Sequence, residues 1–189
     1  ITEGLVGSEM CIRDSTCDYN QTKAATIAIA EYKGPVYLRF GRPKVPNFTP
    51  INQDFNIGKG VKLIEGSDVT IVATGHLVWE AIDCAKKLKS EGISAELINI
   101  HTIKPLDRNI ILDSVSKTNC IVSAEEHNVI GGLGESISSL LVKNNLSPME
   151  FVGVEDSFGE SGTPQELMKK YQLSSENIYL KCKKVISRK

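Results

Sequence analysis

A strand–helix–strand pattern stands at the centre of the chain, in "DVTIVATGHLVWEAIDCAKKLKSEGISAELINI" (68–100). The runs "VTIVAT" (69–74) and "SAELINI" (94–100) are short, apolar and rich in β-branched residues, as buried strands are. Between them apolar residues recur every three or four positions, and Gly92 follows the last of them, where a helix commonly ends. This stretch therefore predicts a βαβ unit with two parallel strands.

The same alternation continues toward the C-terminus. Two further β-type runs, "CIVSA" (120–124) and "EFVGV" (150–154), bring the spacing between successive strand starts to 25, 26 and 30 residues. Helical patterns lie between these runs, and Thr163, Pro164 and Glu166 form the signature of a capped helix start. We therefore predict an α/β fold over residues 60–187, with a mostly parallel sheet and helices on both of its faces.

A separate, shorter pattern precedes this domain. Asp18 is placed to cap a helix through "TKAATIAIAEY" (22–32), and the run "VYLRF" (36–40) follows as a strand. Prolines, glycines and polar residues then fill 46–59, as in a linker. The sequence thus predicts one helix and one strand ahead of the main domain.

Composition excludes several classes of function. The 22 basic and 23 acidic residues nearly cancel, so nothing indicates binding to nucleic acid or to a membrane surface. No apolar run approaches the roughly 18 residues that a membrane-spanning helix needs. The five cysteines form no C-x-x-C pair, and this usage favours a reduced, cytoplasmic protein.

The three histidines follow three different strands. His76, His101 and His127 all fall at carboxyl ends of predicted strands, the edge where open α/β sheets bind ligands. Three imidazoles at one edge invite a zinc hypothesis, but no two of them are close enough in sequence to form a local ligand pair. We therefore predict no metal site.

A glycine-rich loop follows one of these strands, in "EEHNVIGGLGES" (125–136). A G-G-x-G sequence before a helix could hold a phosphate on backbone N–H groups, although two glutamates stand where the anion would arrive. The alternative is that Gly131, Gly132 and Gly134 serve a tight turn and close packing of the helix. Together with Glu126 and His127, these glycines are our candidate loop or interface site.

Arg42 is the candidate ligand-binding residue. It follows the strand "VYLRF" and Gly41, where a guanidinium can enter a cleft and contact a phosphate or carboxylate in bidentate fashion. From the residues alone, a surface ion pair is the alternative.

Several blocks of the chain resemble the C-terminal part of transketolase, and especially the separate C-terminal subunit of split transketolases. The resemblance runs from about Cys17 to the end. The blocks are "KGPVYLRFGRP" (33–43), "GSDVTIVATGHLVWEA" (66–81), "INIHTIKPLD" (98–107), "SAEEHNVIGGLGES" (123–136) and "SGTPQELMKKYQL" (161–173).

The resemblance implies a transferase that uses thiamine diphosphate and Mg²⁺ to move a two-carbon ketol unit between sugar phosphates, as in the pentose phosphate pathway. In that family one domain holds the diphosphate and metal, a pyrimidine domain supplies the activating glutamate, and the third domain serves assembly. Residues 17–45 resemble the truncated end of the pyrimidine domain, 46–59 the linker, and 60–187 the third domain.

The resemblance also assigns roles and partners. Arg42 matches the arginine that contacts the substrate phosphate, and no residue of this sequence matches a catalytic group of the family. We therefore expect no activity and no bound cofactor for this chain alone. We expect it to need the missing pyrimidine domain and an N-terminal transketolase subunit or domain as partner, and to pair as a homodimer through the third domain. The alternatives are a fragment of 1-deoxy-xylulose-5-phosphate synthase, a fragment of a 2-oxoacid dehydrogenase E1 β subunit, and a non-catalytic assembly module.

The first residues depart from the family. "LVGSEMCIRDS" (5–15) resembles a translated sequencing-adapter read. We therefore expect residues 1–16 to be a non-native segment joined to the family sequence.

Overall fold

The computed structural model describes residues 11–41 and 44–189. Its strands are β1 (Ile12–Ser15), β2 (Val36–Arg39), β3 (Val61–Ile64), β4 (Val69–Ala73), β5 (Ala95–Asn99), β6 (Thr102–Lys104), β7 (Ile121–Asn128) and β8 (Met149–Val154). Its helices are α1 (Tyr19–Glu31), α2 (Leu77–Ser90), α3 (Arg108–Thr118), α4 (Leu133–Asn144), α5 (Pro164–Lys170) and α6 (Ser175–Ile186).

The larger sheet has five strands in the order β3-β5-β4-β7-β8. Its strands β5, β4, β7 and β8 are parallel to one another, and β3 joins the edge antiparallel to β5. The predicted mostly parallel sheet is therefore confirmed. The strands at its centre are buried along their whole length, which explains their continuous apolar sequences.

Helices cover both faces of this sheet, as predicted, because successive strand residues point to opposite sides. Ile71, Leu97 and Val122 pack with α2 and α6 in one core. Their neighbours Val72, Ile98 and Ile121 pack with α3 and α4 in the other core.

A second, three-stranded sheet has the order β2-β1-β6. Strand β1 is its middle strand, parallel to β2 and antiparallel to β6. Sequence analysis predicted β2 but neither β1 nor β6. Residues 1–10 lie outside the described residues, and the hypothesis that 1–16 is a non-native segment stays a prediction.

Asp18 joins this smaller unit to the linker. Its Oδ1 accepts hydrogen bonds from the backbone N of Gln21 at 2.8 Å and from Thr49 Oγ1 at 2.7 Å. Its Oδ2 accepts from the backbone N–H groups of Phe48 and Thr49 at 2.9 and 2.8 Å. The predicted Asp18 cap is confirmed, and the same carboxylate also holds the linker against the start of α1.

Within the described residues, none of the helices has the length and apolar character that crossing a membrane requires.

Candidate functional site

The candidate site lies at the carboxyl ends of β4 and β7. Strands β4 and β7 are neighbours in the sheet. After β4 the chain continues to β5, which lies on the side of β4 away from β7, and after β7 it continues to β8, which lies on the side of β7 away from β4. Adjacent strands whose connections diverge in this way leave a crevice at their carboxyl ends, where ligands of α/β domains bind. We therefore describe the residues that surround this crevice.

His76 and Glu126 face each other across the crevice. His76 precedes α2, Glu126 belongs to β7, and 3.4 Å separates His76 Nδ1 from Glu126 Oε2. The His76 side chain is only 11% exposed, whereas that of Glu126 is 45% exposed. The hydrogen bond from His76 lowers the pKa of Glu126 in spite of partial burial, so this carboxylate is ionised at neutral pH.

Gly41 packs directly on the His76 ring. A β-carbon at residue 41 would lie 1.7 Å from Cε1 of His76, so no larger residue fits without movement. The chain that leaves β2 therefore crosses the crevice next to His76. Arg42, our candidate for contact with a substrate phosphate, lies outside the described residues.

Arg39 ties the small sheet to the large one. Its Nε and Nη2 each donate to Ser15 Oγ at 3.2 Å, and its Nη1 donates to the backbone oxygen of Glu126 at 3.1 Å. The backbone N of Gly75, just after β4, donates to the backbone oxygen of Ser15 at 3.3 Å. Residues of β1 and β2 therefore fill the crevice between β4 and β7.

The glycine-rich loop is occupied by a carboxylate of the chain itself. Glu125 Oε2 accepts from the backbone N of Leu133 at 2.7 Å, and Oε1 accepts from the backbone N of Gly134 at 2.8 Å. Glu125 is 1% exposed, and this burial raises its pKa despite the two N–H donors. The N–H groups of the first turn of α4, where a phosphate could have bound, are thus already bonded to a carboxyl group of the chain itself.

The glycines of this loop permit close approach. A β-carbon at Gly132 would stand 2.3 Å from Glu125 Oε2, and one at Gly134 would stand 2.4 Å from Phe151 Cδ1. Gly131 has a φ of 74°, which favours glycine. This geometry agrees with the tight-turn interpretation of Gly131, Gly132 and Gly134.

The remaining two histidines lie in different surroundings. His127 is exposed, and its Nδ1 lies 2.7 Å from the backbone oxygen of Asn128. His101 is buried, its ring centroid is 4.1 Å from that of Phe55, and its Nδ1 lies 3.0 Å from Thr102 Oγ1. Burial lowers the pKa of His101 to about 4, opposed by the charge of Asp107. Among residues 11–41 and 44–189, no three His, Cys, Asp or Glu side chains are grouped to hold a metal ion.

Of the site residues predicted from the sequence, Glu126 lies at the crevice, the glycines form the turn before α4, and His127 is exposed beside them. Arg39, Glu125 and the pairing of His76 with Glu126 were not predicted. The sequence contained a usable signal for Glu125, because this residue directly follows the apolar run 120–124 and precedes a helix that begins with glycines. Nothing local in the sequence connects Arg39 with a residue 87 positions away.

Fold and site together define a doubly wound α/β domain whose ligand edge is covered by a smaller sheet. A family model described as the C-terminal domain of transketolase matches residues 58–178. The 6-deoxy-6-sulfo-D-fructose transketolase subunit SqwH of Clostridium sp. strain MSTE9 is 41% identical over 91% of this chain. The chain belongs to the transketolase family, as the sequence resemblance predicted.

Two further comparisons agree with this assignment. A solved structure titled "Split gene transketolase, inactive beta4 tetramer" is similar over 94% of this chain and 58% of its own, with 40% identity and a TM-score of 0.91. A 1-deoxy-D-xylulose-5-phosphate synthase of Caldanaerobacter subterraneus subsp. tengcongensis is 36% identical over 76% of this chain and 24% of its own length.

The chain spans about half the length of the curated transketolase relative, since the match covers 53% of the SqwH subunit. Its fold is therefore that of the C-terminal part of a transketolase-type protein.

Proposed function

We propose that this chain is a C-terminal section of a split transketolase and takes part in transferring a two-carbon ketol unit between sugar phosphates. The similarity over 94% of the chain to a split-gene transketolase carries this proposal. The relative SqwH, to which 91% of the chain aligns, supports it because that protein is named as a transketolase subunit. The proposal requires two further parts, a complete pyrimidine domain and the N-terminal transketolase subunit or domain that holds the cofactor.

Thiamine diphosphate and Mg²⁺ do not fit the residues described here. The N–H groups at the start of α4, which could hold a diphosphate, are bonded to Glu125. The described ranges contain no cluster of three His, Cys, Asp or Glu side chains suited to a metal ion. We therefore propose that the cofactor binds to parts of the assembled enzyme other than this domain, and we assign it no residue of this chain.

Within this proposal Arg42 contacts the phosphate of the sugar substrate. Two residues that precede Arg42 support the assignment, because both lie at the crevice. Gly41 packs on His76, and Arg39 donates hydrogen bonds to Ser15 and Glu126. A guanidinium that contacts the phosphate discriminates phosphorylated from unphosphorylated substrates.

The test joins this chain to the rest of the pyrimidine domain that its residues 17–45 resemble, and combines the product with the N-terminal transketolase section of the same organism, thiamine diphosphate and Mg²⁺. The mixture should transfer a ketol unit from xylulose 5-phosphate to an aldose phosphate, and the chain alone should show no turnover. Turnover by the chain alone, or none by a complex shown to assemble, would contradict the proposal.

A variant sharpens the test of Arg42. The substitution Arg42→Ala should raise KM for xylulose 5-phosphate by about 10- to 100-fold and leave the reaction of the unphosphorylated donor hydroxypyruvate with an unphosphorylated aldehyde acceptor nearly unchanged. Arg108→Ala, which removes an exposed arginine of α3, is the matched control. An equal rise in KM for both donors would show that Arg42 does not bind the phosphate.

A second candidate is a fragment of 1-deoxy-xylulose-5-phosphate synthase, favoured by the 36% identical relative. An assay of the same complex with pyruvate and glyceraldehyde 3-phosphate distinguishes the two proposed functions, because the synthase reaction releases CO2 and ketol transfer from a sugar phosphate does not.

Self-assembly is a separate part of the proposal. The similar solved structure is titled an inactive tetramer of β chains, which supports pairing of this domain without an N-terminal partner. Light scattering after size exclusion should therefore show a dimer or larger species for the chain alone, and a monomer at all concentrations would contradict it.

A further inference from the structure

Strand β8 lies at one edge of the five-stranded sheet. It pairs with β7 on one side, and none of the strands of the described residues pairs with its other side. In the register with β7, Ile121 lies opposite Met149, and its backbone N donates to the Pro148 oxygen at 3.1 Å. Backbone groups of successive strand residues point to alternate sides, so Phe151 and Gly153 direct their N–H and C=O groups away from β7. Such an edge can pair with a further strand.

Only part of this edge is open. The backbone oxygen of Met149 also points away from β7, but it accepts a hydrogen bond from Arg188 Nη1 at 3.3 Å. Within the part of the chain that the structure describes, no donor or acceptor is bonded to the outward groups of Phe151 and Gly153. These two residues, with the buried Val152 between them, therefore form the open edge of β8.

An apolar groove runs beside the open edge, with a volume of about 390 Å³. Val129, Ile130 and Phe151 belong to its walls. Ile130 is 60% exposed, although isoleucine is among the residues most often buried. A strand added to β8 would cover this apolar surface together with the unpaired backbone groups.

Positive charge is in excess near the start of β8. The Glu150 carboxylate is 8% exposed and lies among three cations of α6 and the residues after it. Lys184 Nζ and Arg188 Nη1 are 3.0 and 2.6 Å from its Oε1, and Lys181 Nζ is 3.4 Å from its Oε2. One carboxylate cannot balance three cations, so this end of the strand attracts a further anion.

Negative charge is in excess just after the other end of β8. Glu155 and Asp156 follow the strand directly, and both are exposed. Neither takes part in any ion pair formed by the described residues. An antiparallel strand that carries the same charges would therefore place its acidic end against the basic end of β8, and its basic end against the acidic end.

We propose that a second copy of this chain pairs with the open edge, β8 antiparallel to β8, about a twofold axis at Val152. This pairing rests on the self-assembly described under the proposed function and adds the surface that makes it. Phe151 of each copy lies opposite Gly153 of the other, and each such pair exchanges two backbone hydrogen bonds. The Phe151 ring covers the place where the glycine has no side chain, and the two larger sheets become continuous.

The charges select this register and direction. With the twofold axis at Val152, Glu155 of one copy lies opposite Met149 of the other, beside Arg188 and Lys184. A parallel arrangement would instead bring the two acidic ends together and the two basic ends together. The surface is thus complementary to itself, as the interface of a twofold dimer must be.

Hydrogen exchange of the purified full chain tests the surface without any substitution. Exchange of single amides is measured at a concentration where light scattering shows the assembled species and again after dilution to the monomer. The amides of Phe151 and Gly153 should exchange at least about tenfold more slowly in the assembled species. The Val152 amide, which faces β7, should exchange slowly in both and serves as the internal control.

Equally fast exchange of Phe151 and Gly153 in the assembled and the monomeric species would overturn the pairing through β8 and leave self-assembly intact. A chain that stays monomeric at all concentrations would contradict both the pairing and the self-assembly of the proposed function.

A charge-reversed variant tests the complementarity. Glu155→Lys combined with Asp156→Lys should raise the Kd of the assembly by about 100-fold at low salt, and by less at high salt, because like charges then meet at both ends. Asp54→Lys combined with Asp113→Lys is the matched control, since both aspartates are exposed and lie outside β8 and its groove. An unchanged Kd in the first variant, or an equal rise in the control, would overturn the pairing.

Discussion

Gly41 and His76 are in such close contact that a β-carbon at residue 41 would overlap the imidazole, 1.7 Å from Cε1. This contact joins the end of the small sheet to the start of α2 in the larger domain. Glu126 holds the same imidazole from the opposite strand, with Nδ1 to Oε2 at 3.4 Å. The two units of the chain therefore meet at a glycine, a histidine and a glutamate that are distant in sequence.

Gly41→Ala should destabilise this contact, because the methyl group and the imidazole cannot occupy the same space. We expect a loss of about 2 kcal/mol in the free energy of unfolding and a fall of about 5 °C in Tm. Thermal unfolding followed by circular dichroism measures both. Gly159→Ala is the control, since a β-carbon there meets nothing within 4 Å, and His76→Ala should relieve most of the loss if the clash is its cause.

Asp18→Ala should cost about 3 kcal/mol of unfolding free energy, because four donors lose their acceptor: three backbone N–H groups and the Thr49 hydroxyl. Chemical denaturation gives the value, and hydrogen exchange at Phe48 and Thr49 should speed up. Asp113→Ala, an exposed aspartate of α3, should change stability by less than about 0.5 kcal/mol. Slow exchange at Phe48 and Thr49 in Asp18→Ala would show that the linker is held by other contacts.

Lys117→Met should leave a buried carboxylate without its main partner. The Glu96 side chain is 0% exposed and is bonded by Lys117, with Lys62 Nζ farther away at 3.6 Å. Burial alone would raise the pKa of Glu96, but the hydrogen bonds, led by that from Lys117, lower it. We expect Lys117→Met to lower the free energy of unfolding by about 3 kcal/mol at neutral pH.

The loss in Lys117→Met should shrink in acid. Because the folded-state pKa of Glu96 is lowered, the stability from this pair is present above the unfolded pKa and disappears as pH falls through the folded one. Denaturation at pH 7 and pH 3 tests this, with Lys86→Met, which breaks the exposed pair with Asp83, as control. A pH-independent loss would indicate that Lys117 acts through packing alone.

His101 should make the protein less stable in mild acid. Burial lowers the pKa of His101 from 6.5 to about 4, so the unfolded chain binds a proton in this pH range and the folded chain does not. Stability from the neutral imidazole is therefore complete above pH 6.5 and is lost as pH falls toward 4, by about 3 kcal/mol in total.

His101→Gln removes the titrating group, so its unfolding free energy should fall less steeply than that of the natural sequence between pH 6.5 and pH 4. His127→Gln, at an exposed histidine, is the control. Equal slopes for His101→Gln and the natural sequence would mean that other groups govern the acid response.

Much of the fold could be predicted because the signals are local. The alternation of apolar strands with three- and four-residue helical periodicity predicted the parallel sheet, and Asp18 and Thr163 accept the expected cap hydrogen bonds. Strands β1 and β6 were missed because they are short and become strands only by pairing within the small sheet, β1 with both β2 and β6.

The sequence by itself determined the α/β class, the order of strands and helices, and the family to which they belong, since these depend on periodicity and on ordered motifs. Only the tertiary structure decided what occupies the ligand edge. Three contacts were decided in this way: Glu125 with the start of α4, Arg39 with Glu126, and Gly41 with His76. They join segments that the strand order brings together. Which residues meet in these contacts depends on which strands become neighbours, and no local pattern of residues encodes the neighbour of a strand.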